Sequence, residues 1–589
     1  MEFVRLTMGK GLARIVSRWC EDNLGPRVDE PADDGMVSDA LLPRLLARDG
    51  DTFTLRVLTL NTWGIPIAPL CFARHEAMAR ALFAENAGRW DVFTFQEVWH
   101  VRERRVLVDA ARKHGLAHHH YFENGCGFPF WRGQVGTGLL VVSRYPIERA
   151  LYRRFTVTGK VFMLHEADYL GAKGCGLVRV ATPAGPVDVV TTHLLSDYSG
   201  KPTTDADGYH ALRVAEAFEL AQFCAHAAAT APLLVVTGDF NVGPGTLALR
   251  LARALAGLTD AALPIRDPAG LRNQETYGAT NNCFSCDDDA ERMDYVLFRG
   301  AATKSSAAAP VARDFSGGGG AGGGGAGGGG GRLLFQLGDV DVGWELGTKK
   351  AEKRMQFAAL PGGADYNGGG ASGNKVPLSD HWAVEASFVA TARARGGGAG
   401  GGGTAAGSNA AGRRLLGMLG QSVAPGARQK SKGAGRGDWK AEMAQRLDDE
   451  GAADAASRAL ELLAEAAALV RVQEKKSART QLGHYNRAAA ALGVLAAVVA
   501  CAVVAPWALG AAAAGYVPAA TPGRVAALAA LCVLLPLWAA AEYHLAQFPL
   551  GTEVQALREI LREMALVRRR ARLALLERDA DSSSADDDA

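Results

Sequence analysis

Short runs of branched and aromatic residues, each bounded by a polar residue, recur over the first 390 positions of the chain. LRVLTLN places Asn61 after Leu55, Val57, Leu58 and Leu60, and DVFTFQE places Glu97 after Val92, Phe93 and Phe95. VDVVTTH ends on His193, PLLVVTGDFN on Asp239 and Asn241, RMDYVLF carries Asp294, and LSDHWAVEASF opens with Asp380 and His381. Apolar runs of this length between turn formers read as buried strands. Helical patterns alternate with them, at Arg74 to Phe83 and Gly208 to Ala229, which predicts an α/β class over residues 51 to about 300. Strand ends converging on one edge of a sheet sandwich would gather all eight polar side chains into one cleft.

The pattern breaks after Phe298. Gly317 to Gly331 is glycine with two alanines, and Gly396 to Gly403 repeats the composition. Neither tract buries enough apolar surface to offset its ordering entropy. The first falls between the strands carrying Asp294 and His381, so residues 300 to 375 are expected to be a disordered insertion within a domain spanning 51 to 392. Residues 1–50 form an N-terminal extension and 393–437 a glycine-rich, basic linker. From 438 to 487, Leu460, Leu463, Ala467 and Val470 lie at helical spacing and predict an amphipathic helix. Ala488 to Leu509 then gives 22 residues without a charge, and Val525 to Ala541 gives 17. A bilayer core takes roughly 20 apolar residues, so the two are expected to form a transmembrane hairpin within 488–545. Arg471, Lys475, Lys476, Arg479 and Arg487 precede it, Arg524 lies between the spans, and Arg558, Arg562 and Arg568 to Arg570 follow. The positive-inside rule then puts both ends and the α/β domain in the cytosol. A basic helix and an acidic tail complete the chain at 546–589.

Charge and cysteines narrow the class. Lys and Arg number 64 against 62 Asp and Glu, a net charge of +2, so no global basic field points to nucleic acid. Basic stretches at Arg413 to Arg436 and Val554 to Arg578 could instead attract anionic lipid. Nine cysteines are scattered singly apart from Cys283 and Cys286, whose spacing has no second pair to complete a zinc site. Free thiols fit a reducing compartment, and the first 20 residues lack the continuous apolar core of a secretory signal.

NTWG at Asn61, FQEVW at Phe95, GTGLLVVSRYPI at Gly136, THL at Thr192, GDFN at Gly238, MDYVL at Met293 and LSDH at Leu378 follow one another in a familiar order. They resemble the endonuclease/exonuclease/phosphatase superfamily. NTWGIP, the LRVAEAFELAQF stretch at Leu212 to Phe223, and a membrane segment behind the catalytic domain are similar to the neutral sphingomyelinases. The resemblance implies a four-layer α/β sandwich of the DNase I type. It also implies a Mg²⁺-dependent phosphodiesterase that cleaves a membrane phosphosphingolipid.

Such hydrolysis needs a divalent ion on the phosphoryl oxygen, an activated water and donors for the growing charge. Glu97 suits Mg²⁺ as an oxygen ligand, with Asn61 completing the metal site or binding the phosphate. His381 is the candidate general base, with Asp239 as the alternative. By resemblance Asp294 would orient His381, Asp380 would face metal or phosphate, and His193 would donate to the phosphate. Asp239 and Asn241, two apart, would point the same way if extended, one positioning water and the other binding phosphate. FMLHEADYLGAKGCG resembles the sphingomyelinase segment with an aspartate and a glycine-flanked lysine, which makes Asp168 and Lys173 substrate-binding candidates. His118 to His120 read as a surface run.

Three functions compete. The first is a phospholipase C acting on sphingomyelin, an inositol phosphosphingolipid or a lysophospholipid. The second is a Mg²⁺ nuclease of the same fold, against which stand the apolar hairpin and the lack of a basic, aromatic-lined path for a strand. The third, a non-catalytic membrane scaffold, would require loss of a metal or base residue, and none is missing. An inositol-polyphosphate 5-phosphatase is disfavoured because GDFNVGP lacks that family's arginine.

Overall fold

The computed structural model describes residues 52–123, 135–198, 208–262, 275–302, 332–348, 376–393, 452–501 and 522–587. Within these, 66–67, 161–162, 164–165, 167, 229–230, 280–281, 283, 286–289 and 345–346 are excepted. The N-terminal extension, both glycine tracts, the basic linker and the start of the amphipathic helix lie outside the described residues. So do Cys283, Cys286 and the end of the first expected span.

Apolar alternation produces fifteen strands among the described residues. They are β1 (Thr52–Asn61), β2 (Val92–Gln96), β3 (His118–Tyr121), β4 (Leu140–Ser143) and β5 (Ile147–Arg154). Next come β6 (Gly174–Thr182), β7 (Gly185–His193), β8 (Leu233–Asp239), β9 (Thr259–Asp260) and β10 (Asp294–Arg299). The last are β11 (Ala301–Ala302), β12 (Arg332–Trp344), β13 (Gly347–Thr348), β14 (Val376–Pro377) and β15 (Ala383–Arg393). One sheet runs β11-β12-β15-β1-β2-β4-β3, the other β5-β6-β7-β8-β10-β9, and β13 pairs with β14.

The sheets pack face to face. Leu55, Val57, Val92 and Phe388 of the first meet Val178, Val189, Val235 and Val296 of the second in one buried cluster. Each such side chain contributes roughly 1.5–3 kcal/mol by leaving water. The other face of the first sheet takes α1 (Cys71–Ala79) and α2 (Val101–Lys113), where Met78, Leu82 and Leu107 pack on Leu58, Phe93 and Phe95. On the second sheet, α3 (His210–Ala227) contacts β6 and α4 (Leu247–Ala256). The order helix, sheet, sheet, helix is a mixed α/β sandwich. His118 to His120 lie in the edge strand β3, half-buried.

The expected insertion is shorter than its sequence suggests. Arg332–Trp344 is not disordered but pairs antiparallel with β15 from Arg332↔Arg393 to Trp344↔Ala383. Phe335 and Leu337 alternate with Gln336 and Gly338, and both join the inter-sheet core. That alternation outweighs the glycine-rich neighbourhood.

A second unit, Ala467–Leu566, is helical. The helix α5 (Ala452–Val499) runs without a break through the expected boundary at 487, and α6 (Pro522–Leu545) and α7 (Gly551–Asp587) follow. Within this unit α5 lies antiparallel to the later helices, with Glu474 bonded to Arg558, Ser477 to Glu553 and His484 to Glu542. Val470, Val554, Leu557 and Ile560 are buried, whereas Leu531, Val533, Leu534 and Leu537 of α6 are exposed. Among the described residues one helical stretch, Ala526–Leu573, is long and apolar enough to cross a membrane. It contains most of the second expected span.

Candidate active site

The β ladder sets one side of the site. His193, last in β7, is the register partner of Asp239, last in β8, and Asp239 is the partner of Asp294, first in β10. Three consecutive strands therefore bring three functional groups into one row at the sheet edge. Gly238 sits at φ +132, and a Cβ there would come within 2.0 Å of Thr192 O, so this close pairing needs glycine.

The first sheet supplies the opposite side. Asn61 ends β1 beside Gln96, and Glu97 follows β2 at φ 61, in the left-handed region. Trp63 (φ 49) and Asn241 (φ 49) share that conformation. Non-glycine residues held there cost about 1–3 kcal/mol each and concentrate at functional sites. The Asn61–Gly64 segment reaches Glu97 because Gly64 has no side chain; a Cβ would stand 1.9 Å from Glu97 O. Buried Arg74 then fixes the segment, donating to Thr62 O (3.0 Å), Trp63 O (2.6 Å) and Leu378 O (2.9 Å). Ser379 Oγ donates to Asn61 O at 2.7 Å, tying β1 to the turn that carries Asp380 and His381.

The two sides meet at Asn61, whose Nδ2 is 3.0 Å from both Glu97 Oε1 and Asp239 Oδ2. His381 crosses from the first sheet to place Nδ1 at 2.8 Å from Asp294 Oδ2, with Nε2 3.8 Å from Asp239 Oδ2. His193 Nε2 lies 3.6 Å from the same Asp239 oxygen. Asn61, Glu97, His193, Asp239, Asp294 and His381 are thus gathered as the strand ends predict. Asp380 is buried beside them, its carboxylate accepting from Ser379 Oγ at 3.2 Å.

Two expectations change. The stretch through Asn241 is not extended: its left-handed turn lets its N–H reach Asp239 Oδ1 (2.8 Å) while Nδ2 donates to Leu194 O (2.9 Å). Lys173 pairs with Asp168 at 2.6 Å, but it is buried and turned inward. Its Nζ lies 3.1 Å from His193 Nε2, 2.9 Å from Leu194 O and 3.2 Å from Ser196 Oγ. Because an ammonium only donates, His193 Nε2 accepts and Nδ1 carries the ring proton. Sequence reasoning missed Arg74, Ser379 and Ser196, and also Tyr277, whose ring is 5.0 Å from that of His381. Of these only Ser379, inside LSDH, sat within a recognised motif.

Burial is the largest influence on His381, His193, Glu97, Asp239 and Asp380. It would push His381 down, but Asp294, Asp380 and Asp239 outweigh it and lift the imidazole well above its ordinary value. His193 is held well below, by burial and then by the charges of Lys173 and His381. Glu97 is raised by burial, while Asp239 is pushed up to about 6 by burial and the Asp294 charge, and Asp380 to about 6 by burial.

This excess of buried carboxyl groups is the charge pattern that a divalent cation balances. Glu97 Oε2 is buried with no hydrogen-bond partner, an oxygen donor of the kind a hard cation takes. Asp239, Asp294 and His381 also bring ligand atoms within 4.8 Å of one another. In that trio, however, His381 and Asp294 already bond each other through Nδ1 and Oδ2, whereas Glu97 keeps Oε2 unengaged, so Glu97 with Asn61 beside it is the better fit.

The model of the endonuclease/exonuclease/phosphatase family matches residues 58–381, which covers every residue of this cluster and more than half of the chain. The chain belongs to that family. Among known proteins it is similar to human sphingomyelin phosphodiesterase 2, 31% identical over 42% of this chain and 56% of that protein. A Drosophila melanogaster protein named as a neutral sphingomyelinase is 29% identical over 42% of this chain and 52% of its own length. An inositol phosphosphingolipids phospholipase C of Saccharomyces cerevisiae is 22% identical over 43% and 58%. The chain thus spans little more than half the length of the relatives it matches. In this family member the matched stretch begins in β1 and ends on His381.

Proposed function

We propose that the chain is a Mg²⁺-dependent neutral sphingomyelinase of the phospholipase C type, cleaving sphingomyelin or a related phosphosphingolipid to ceramide and the phosphorylated headgroup. The observation that carries this reading is the His381–Asp294 pair at 2.8 Å facing Asp239, in a chain similar to sphingomyelin phosphodiesterases. His381 takes the proton of the attacking water through Nε2 while Asp294 holds Nδ1 and stabilises the charge that forms. Asp239, Asn241 and Asn61 position water and phosphate, and Lys173 with its partner Asp168 brings a positive charge to His193 beside them. Asp380 adds its negative charge next to the base. Glu97, with Asn61, would hold Mg²⁺, which supplies charge neutralisation at the phosphoryl oxygen.

Membrane attachment supports a lipid substrate. The exposed leucines and valines of α6, with Trp538 and Tyr543 at their edge, suit a span flanked by interfacial aromatics. With 488–509 as its partner the segment would form a hairpin, both ends cytosolic, and tethering would raise the local substrate concentration. Basic residues of α7 would favour anionic lipid.

A related headgroup is the second reading, favoured by the similarity to an inositol phosphosphingolipids phospholipase C. Detergent-solubilised full chain incubated with labelled sphingomyelin, inositol phosphoceramide and plasmid DNA, with and without Mg²⁺, separates the alternatives. Ceramide from sphingomyelin only with Mg²⁺ is expected. Cleavage of DNA alone would sink the lipid reading, and cleavage of inositol phosphoceramide alone would move the headgroup.

A further inference from the structure

The helix α3 is buried continuously from Ala211 to Ala221, yet that stretch carries three charged residues at three-residue spacing: Arg213, Glu216 and Glu219, all with 0% exposure. Leu212, Val214, Ala215, Ala217, Phe218 and Leu220 around them are the apolar residues that packing asks for. Burying an ion costs several kcal/mol. Each is therefore held by partners: Glu219 accepts from Arg153 Nη2 at 3.1 Å and from the Thr156 N–H at 2.9 Å, whereas Arg213 and Glu216 reach a single turn.

Glu216 Oε2 accepts the backbone N–H of Leu195 at 2.8 Å. Arg213 Nη1 donates to Ser196 O at 3.1 Å, and Nη2 lies 3.7 Å from Asp197 Oδ2. Three successive residues of the turn leaving β7 are thus gripped from beneath by two residues of one helix. On its other side the same turn is the acceptor hub of the site. Leu194 O takes bonds from Lys173 Nζ and Asn241 Nδ2, Ser196 Oγ takes Lys173 Nζ, and Ser196 N–H donates to Asp168 Oδ2 at 2.9 Å. Moving the turn would release Lys173, Asn241 and Asp168 together, and Lys173 would leave His193.

We infer that Glu216 and Arg213 are positioning residues of the reaction, holding the Leu194–Asp197 turn at the height that keeps Lys173 on His193 and places His193 and Asn241 beside the substrate phosphate. The inference rests on the phosphodiesterase reading of those three residues. It also accounts for the LRVAEAFELAQF stretch, whose charged positions no strand end explains. Burial pushes Glu216 up to about 8, and glutamine, whose carbonyl oxygen can still accept the Leu195 N–H, is its closest substitute.

The test compares variants of the full chain in Mg²⁺ and sphingomyelin mixed micelles. Glu216→Ala should lower kcat by on the order of tenfold to a hundredfold, as sub-ångström misplacement does, with KM and the Mg²⁺ midpoint within about twofold. Glu216→Gln should keep kcat within about threefold of the parent. Asp188→Asn is the control for mere loss of a buried carboxylate: Asp188 in β7 bonds Arg179 at 2.7 Å, away from the turn, and its variant should lose stability but not kcat. If Glu216→Ala fails to fold, Arg213→Lys decides, with a fall in kcat of about threefold or more expected at unchanged KM. Parental kcat in folded Glu216→Ala or in Arg213→Lys overturns the inference, as does equal loss in Asp188→Asn. A parent inactive on sphingomyelin would refute the proposed substrate instead, and the same variants would then be compared on bis(p-nitrophenyl) phosphate.

Discussion

The two sides of the site are built by different means. On the second sheet, His193, Asp239 and Asp294 are consecutive ladder partners, so their spacing is fixed by backbone pairing, with Gly238 admitting the close approach of β7. On the first sheet, Asn61 and Glu97 depend on a left-handed residue, a glycine that admits no Cβ and a buried arginine bonded to backbone carbonyls. Proton transfer needs a rigid register. The cation site proposed at Glu97 needs instead a carboxylate aimed away from its own strand, and a regular strand end would project that side chain from one face of the sheet.

That contrast can be broken at either side. The largest effect is expected from His381→Ala, which removes the base: kcat should fall by about 10²–10⁴ with sphingomyelin binding retained, measured by initial rates and vesicle co-sedimentation. Asp294→Asn comes next, with kcat lowered roughly a hundredfold because an amide neither fixes the ring tautomer nor stabilises the imidazolium as the carboxylate does. Its pH profile carries the sign. A base must be deprotonated, and His381 is lifted well above its ordinary value by Asp294 first among the raising charges, so the acid limb of the parent should lie above 6.5. Removing the Asp294 charge should move that limb to lower pH while the plateau falls.

On the first sheet Glu97→Gln should raise the Mg²⁺ midpoint by about tenfold or more, with partial recovery at high Mg²⁺, read by metal titration of activity. Gly64→Ala tests the strained approach itself. With Glu97 O only 1.9 Å from the added Cβ, a loss of roughly 1–3 kcal/mol is expected, visible as a lower Tm, together with weaker metal binding.

The ladder side was legible in the sequence because apolar periodicity ends where its chemistry begins: VDVVTTH, LLVVTGD and MDYVL each reveal both strand and polar terminus. On the first sheet the strands and their polar ends were legible too, in LRVLTLN and DVFTFQE, but not the backbone that turns Glu97. Nothing local in QEVW announces a left-handed Glu97, and Arg74, in a helix, could not be foreseen to bond Leu378, 304 positions away. Lys173 illustrates the same limit. Its glycine neighbours suggest an exposed turn, yet acceptors from the distant Leu194–Ser196 turn satisfy it in the interior. The strand β12 was hidden for the opposite reason, since its alternation sits next to a composition that forms no strand.

The smallest effect follows from β12. Deleting Gly317–Gly331 should leave kcat within about twofold, because loop closure changes slowly with length. Extending the deletion through Leu337 should unfold the sandwich, since it removes Phe335 and Leu337 from the core.

The central claim is that water activated at His381 attacks phosphorus in a sphingolipid diester. Hydrolysis of sphingomyelin in ¹⁸O-water with Mg²⁺, followed by mass spectrometry of both products, tests it most directly. One ¹⁸O in phosphocholine and none in ceramide is the predicted result, lost in His381→Ala; label in ceramide, or equal product from His381→Ala, would contradict it.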